Sequence, residues 1–100
     1  MLRVEYLLGA RRDFDESFDW YAARSPVAAL RFARAVDLAL TDIAGNPEQF
    51  AVVDDVHRQC PLKRFPFRIV YRVANERIVV VALAHASRRP GYWKDRPEAG

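Results

Sequence analysis

The chain has a single cysteine in 100 residues, so no disulfide can close within it, which fits a reducing compartment. Glycine is equally scarce. Gly9, Gly45, Gly91 and Gly100 are scattered, and none belongs to a glycine-rich phosphate loop. His57 and Cys60 have a ligand-like spacing, but His85 is the only other histidine, and a zinc site needs three or four such ligands. No metal and no cofactor are expected. No apolar stretch approaches the ~18 residues of a membrane span, and the N-terminus lacks a signal peptide's charged start and apolar run. These absences predict a cytoplasmic domain that does not engage a membrane.

What is present is one domain's worth of chain. A content of 51% hydrophobic and 29% charged residues excludes intrinsic disorder, and residues 1–100 are read as one domain. The net charge of +3 conceals a split. Residues 1–56 carry six Lys and Arg against ten Asp and Glu, whereas residues 57–100 carry ten against three. A small domain with one strongly basic half points to an anionic partner.

Leu2, Val4, Tyr6 and Leu8 alternate with Arg3, Glu5 and Leu7, the period of a strand. Phe14, Phe18, Tyr21 and Ala22 then share one helical face, with Asp13, Asp15 and Glu16 early and Arg24 at the end, as the helix dipole favours. Ser25-Pro26 supplies an N-cap hydroxyl and a proline for the first position of a second helix. That helix carries the stripe Ala29, Phe32, Ala33, Val36, Leu40 and Ile43. Gly45-Asn46-Pro47 should end it, with Gly45 in the left-handed cap. Residues 48–55 read as a loop and 56–62 as a short strand. Phe67, Ile69, Tyr71 and Val73 alternate with Arg68, Val70 and Arg72 in a half-buried strand. Ile78 to Ala84 has the apolar, β-branched character of a central strand. A basic, aromatic tail covers 86–100. The predicted fold is α+β, in the order β-α-α-β-β-β, with an antiparallel sheet and a helical hairpin packed on one face.

Chemistry concentrates in the basic half, where aromatic residues interleave with the charges. Lys63 and Arg64 sit at a strand junction, Arg68 and Arg72 share one strand face, and Arg88, Arg89, Tyr92, Trp93 and Lys94 follow the last strand. Guanidinium groups bind phosphates bidentately and aromatic rings stack on unpaired bases. Solvation of an exposed sheet face would account for the same arginines, and core packing for Trp93.

The run Asp19-Trp20-Tyr21 followed by Ser25-Pro26-Val27-Ala28-Ala29 and Phe32 resembles the helical hairpin of the RelE/ParE superfamily of toxins from type II toxin–antitoxin modules. Arg64-Phe65-Pro66-Phe67-Arg68-Ile69-Val70-Tyr71-Arg72-Val73, with Ile78 to His85, resembles their strand hairpin. The ending Arg88-Arg89-Pro90-Gly91-Tyr92-Trp93-Lys94-Asp95-Arg96 is similar to the tail of one branch. The resemblance implies a growth-arresting toxin neutralised by a cognate antitoxin in a hetero-oligomer. RelE-like members cut mRNA on the ribosome, whereas ParE-like members poison DNA gyrase without hydrolysis.

A metal-independent endonuclease would need a base, an acid and a stabiliser of the phosphorane charge. For that reading the catalytic candidates are His85, Arg89, Tyr92 and Arg64, and the substrate-binding candidates are Lys63, Arg68, Arg72, Arg88 and Trp93. The gyrase reading needs no such set, and a non-toxic basic module that binds protein or nucleic acid is the third alternative.

Overall fold

A single residue, Leu7, separates the first strand from the first helix. In the computed structural model, which describes residues 2–97, β1 is Arg3–Tyr6 and α1 is Leu8–Arg24. The strand expected through Leu8 stops at Tyr6, because the Leu7 N–H makes the last ladder bond, to the Val80 carbonyl at 3.0 Å, and the helix begins at once. Gly9 and Ala10 are buried in its first turn, where small residues let the helix lie close to the sheet.

The helical joint follows the predicted chemistry. Ser25 Oγ accepts the Ala28 N–H at 3.2 Å, and Pro26 occupies the first turn of α2, Pro26–Gly45. Ala29, Phe32, Val36 and Ile43 point inward and are buried. Gly45 does not take a left-handed cap: it is the last helical residue, and the non-helical Asn46 (φ −155°, ψ 82°) and Pro47 end the helix instead. A 3-10 turn at Pro47–Gln49 leads into β2, Ala51–Val52, inside the stretch expected to be a loop, and then come β3, Arg58–Pro61, β4, Phe67–Ala74, and β5, Arg77–His85.

The strands form one sheet in the order β1-β5-β4-β3-β2. β2 to β5 make the expected antiparallel meander, and β1 joins its far edge parallel to β5, so the sheet is mixed. The α+β architecture with a helical hairpin on one face stands as expected. The β4–β5 turn is Asn75-Glu76, both with positive φ (52° and 61°), the sign that a two-residue type I′ turn imposes on both central residues.

The core lies between hairpin and sheet. Phe32 is fully buried and meets Phe14, Tyr21, Phe65 and Phe67 at ring-centre distances of 5.7, 5.1, 5.6 and 5.3 Å. Full burial of such a side chain contributes about 1.5–3 kcal/mol. Tyr71 is also fully buried, and its hydroxyl donates to the Pro47 carbonyl. Burial pushes that phenol up to about 12.

One irregularity decides which side chains face the hairpin. Val70 pairs with Ala82 but Tyr71 pairs with Val80, so β5 holds one extra residue, a bulge at Val81. Ile78 and Val80 face the hairpin before the bulge, and Leu83 faces it after. Val81, Ala82 and Ala84 belong to the opposite face. A bulge shifts the alternation of every residue beyond it. Among the described residues no helix is long and apolar enough to cross a membrane.

Candidate functional site

The sheet face away from the hairpin is covered by the tail. Gly91, at φ +75°, turns the chain into a 3-10 segment, Tyr92–Asp95. This turn seats Trp93, only 3% exposed, against Val70, Val81, Ala82 and Ala84. The indole also meets the His57 ring at 4.7 Å. Positions 98–100 of the expected tail lie outside the described residues.

Two polar clasps hold the tail. Asp54 Oδ1 accepts the N–H groups of Val56 and His57 at 2.9 and 2.8 Å, and the carboxylate pairs with His57 Nδ1 at 2.9 Å and Lys94 Nζ at 3.2 Å. Desolvation alone would raise the carboxyl's pKa. These donors outweigh it and hold the group well below the usual carboxylate range. Farther on, Arg96 donates from both terminal nitrogens to Asp13 of α1, at 2.9 and 2.7 Å. Residue-by-residue reading missed the Asp54 clasp, although an aspartate accepting N–H groups two and three residues on is an ordinary Asx-turn.

The residues singled out from the sequence fall into three places. Arg88, Tyr92 and Trp93 come together on the tail side, with the Arg88 guanidinium 4.0 Å from the Tyr92 ring centre. Burial is the main cause raising the Tyr92 phenol, and Asp13 adds to it. Arg89 is exposed and paired with Asp95 at 2.5 Å. By alternation with Ile69 and Tyr71, Arg68 and Arg72 project to this same side, where both are half-buried and Arg68 reaches Gln59 Oε1 at 3.4 Å.

His85 is placed elsewhere. Beyond the bulge it turns to the hairpin side, edge-on to Phe67 at 4.9 Å. Its Nδ1 accepts the Ser87 N–H at 3.0 Å and lies 2.7 Å from Ser87 Oγ. With Nδ1 accepting, the proton of the neutral ring sits on Nε2.

Lys63 and Arg64 form the third group. They border a groove of about 1210 Å³ between α2 and the β3–β4 connection. Arg31 and Arg34 of α2 bring two further cations to its rim, while Leu38, Leu62 and Phe65 supply apolar lining and Asp42 the one carboxylate. From Val27 to Asp42 the helical wall is roughly 22 Å long at 1.5 Å per residue. An apolar floor with a cationic rim suits an acidic amphipathic segment. Sequence reading noted the two loop cations but not their partners on α2, which only the packing of α2 against the loop brings alongside. Among the described residues no three His, Cys, Asp or Glu side chains converge as a metal site.

Known proteins sharpen the reading. The family model for the ParE toxin of the type II toxin–antitoxin system parDE matches residues 4–90. No curated protein sequence matches the chain. Among solved structures, one described as a chromosomal ParDE toxin–antitoxin system from P. aeruginosa shares the fold, with a TM-score of 0.72 and 21% identity over 85% of this chain and 96% of that one. The chain belongs to the ParE toxin family of type II toxin–antitoxin systems.

Proposed function

We propose that this toxin arrests growth by gripping DNA gyrase rather than by cutting mRNA, and that an acidic antitoxin segment neutralises it by lying in the α2 groove. The observation that carries the target reading is that His85 turns to the hairpin side, against Phe67, while Tyr92 packs with the cluster on the opposite face of the sheet. Arg64 is on a third surface, the groove. In-line cleavage of RNA needs base, acid and charge stabiliser within hydrogen-bond reach of one phosphate. Groups on opposite faces of a sheet do not meet that requirement, whereas a protein-binding toxin needs only surfaces. The groove's cationic rim supports the antitoxin reading, since charge complementarity speeds encounter and a disordered segment can fold as it docks.

Two assays side by side test this reading. Purified toxin is added to gyrase with supercoiled plasmid, and separately to a translating extract whose reporter mRNA is mapped by primer extension. The expected result is gyrase-dependent linear DNA and intact mRNA. New 5′ ends inside codons, appearing only during translation, would return the weight to a ribosome-dependent endonuclease and to His85, Arg89, Tyr92 and Arg64 as its catalytic residues. Normal growth on expression without antitoxin would leave a non-toxic binding module.

A further inference from the structure

A second, smaller cleft of about 440 Å³ opens where α1 meets the start of β4 and the end of β5. Its walls include Trp20, Tyr21 and Phe67, with Glu16 and His85 among the polar lining. Trp20 is 53% exposed, a large aromatic half open to solvent on the hairpin. The Arg24 guanidinium stacks 3.6 Å from its ring centre and Tyr21 meets the ring edge-on, so this indole binds a planar cation, and a docking guanidinium would take the place of Arg24.

The charge here is opposite to that of the α2 groove. Asp15, Glu16 and Asp19 are exposed on α1, and among the described residues no ion pair involves them. The His85 tautomer adds a donor, because Nδ1 is held by Ser87 and the proton is on Nε2. The cleft therefore offers aromatic surface, a carboxylate and one N–H donor. A guanidinium satisfies the first two, and a backbone carbonyl beside it satisfies the third.

We propose that this cleft docks a protein segment presenting an arginine, its side chain against Trp20 and Glu16 and its backbone carbonyl on His85 Nε2, and that the segment belongs to the gyrase target. The assignment to gyrase rests on the function proposed above. It follows from charge: an enzyme that handles DNA carries cationic surfaces, which the acidic face of α1 complements and the basic groove repels. The toxin thereby keeps its two partners on electrostatically distinct surfaces.

The test has an arm independent of the target. The full chain is titrated with N-acetyl-arginine methylamide and with its neutral citrulline counterpart, followed by 15N–1H NMR. The two tryptophans give separate indole signals. Saturable shifts of Trp20 and His85, an unmoved Trp93 indole, and about tenfold weaker binding of citrulline or by Glu16→Gln are expected. No saturable shift at Trp20, or equal response to citrulline, overturns the cleft's chemistry.

The second arm measures binding to gyrase holoenzyme. If wild type binds and Trp20→Ala and Glu16→Gln each lose about tenfold or more, the assignment stands. If wild type binds and the variants equal it, the docking role is overturned. If wild type does not bind, the gyrase reading fails while the NMR arm still decides what the cleft accepts. Loss of antitoxin binding by Glu16→Gln instead would reassign the cleft and overturn the proposed partner.

Discussion

Asp13 and Arg96, 83 positions apart in sequence, together complete the open edge of β5. β1 pairs with β5 only as far as Val80, with Leu7 adding one more bond. Beyond it, the Leu83 N–H donates to Asp13 Oδ2 at 3.0 Å and the Val81 carbonyl accepts from Arg96 at 3.3 Å. The ion pair thus stands in for a strand, and both side chains are largely buried, 14% and 21% exposed. Removing one partner leaves the other desolvated and a backbone group of β5 without its bond.

Asp13→Ala should therefore destabilise the fold by about 2–3 kcal/mol. The double change Asp13→Ala with Arg96→Ala should cost less than the sum of the two, by about 1 kcal/mol or more. Urea unfolding midpoints across the four proteins check this, and strict additivity would mean that the two groups act independently.

The β4–β5 turn carries strain at one position. Asn75 tolerates a left-handed backbone, but Glu76, at φ 61°, has no such preference. Glu76→Gly should stabilise by about 0.5–1 kcal/mol, the relief of strain exceeding glycine's entropic cost. Thermal unfolding of the variant tests it, and a lowered melting temperature would show that the Glu76 side chain makes a compensating contact.

The tail clasp makes stability depend on acid. Because the folded-state pKa of Asp54 lies below the ordinary value of 3.8, its stabilising share is fully present above that value and is lost as pH falls below it. Wild type should lose melting temperature more steeply than Asp54→Asn on descent from pH 5 to pH 2. Above pH 5 the two curves should run parallel as far as this group is concerned. Scanning calorimetry across that range decides it, and equal slopes throughout would refute the clasp.

Most of the fold was legible because it rests on local chemistry. The Ser25-Pro26 cap, the α2 stripe and the alternation of β4 are written in neighbouring residues, and the structure repeats them. What was not legible came from pairing across the sheet. Counting alternately from Ile78 would put His85 on the side of Arg68 and Arg72. The bulge at Val81 reverses that assignment, and nothing among the β-branched residues of β5 marks where the extra residue goes. The parallel docking of β1 is likewise a tertiary choice. Gly45 erred for the opposite reason, since a local preference for glycine in caps was satisfied by Asn46 and Pro47. Of the groove's cationic rim, only Lys63 and Arg64 could be seen beforehand, since Arg31 and Arg34 join it through the packing of α2.

Cys60 is 3% exposed, and burial, with Asp42 adding, pushes its thiol up to about 11. At pH 8 only about 0.1% would be the reactive thiolate. Alkylation by iodoacetamide at pH 8 should be at least about a hundredfold slower in the native toxin than in 8 M urea. Comparable rates would mean that β3 opens readily.

The groove prediction separates charge from apolar contact. Arg31, Arg34, Lys63 and Arg64 rim one part of the groove, and Asp42 stands at the other end of the α2 wall. If an acidic antitoxin helix lies along α2, Arg31→Glu and Lys63→Glu should each weaken antitoxin binding about tenfold at low salt. Raising salt from 50 to 500 mM should shrink that difference, since these side chains are exposed and screened. Leu38→Asp should also weaken binding, but its effect should persist in salt, because lost apolar contact is not screened. Calorimetric titration with the cognate antitoxin gives all three answers. A salt-independent loss for the charge reversals would mean that the cations shape the groove rather than attract its occupant. Unchanged binding in all three variants would place the antitoxin on another surface altogether, leaving the groove open for the target.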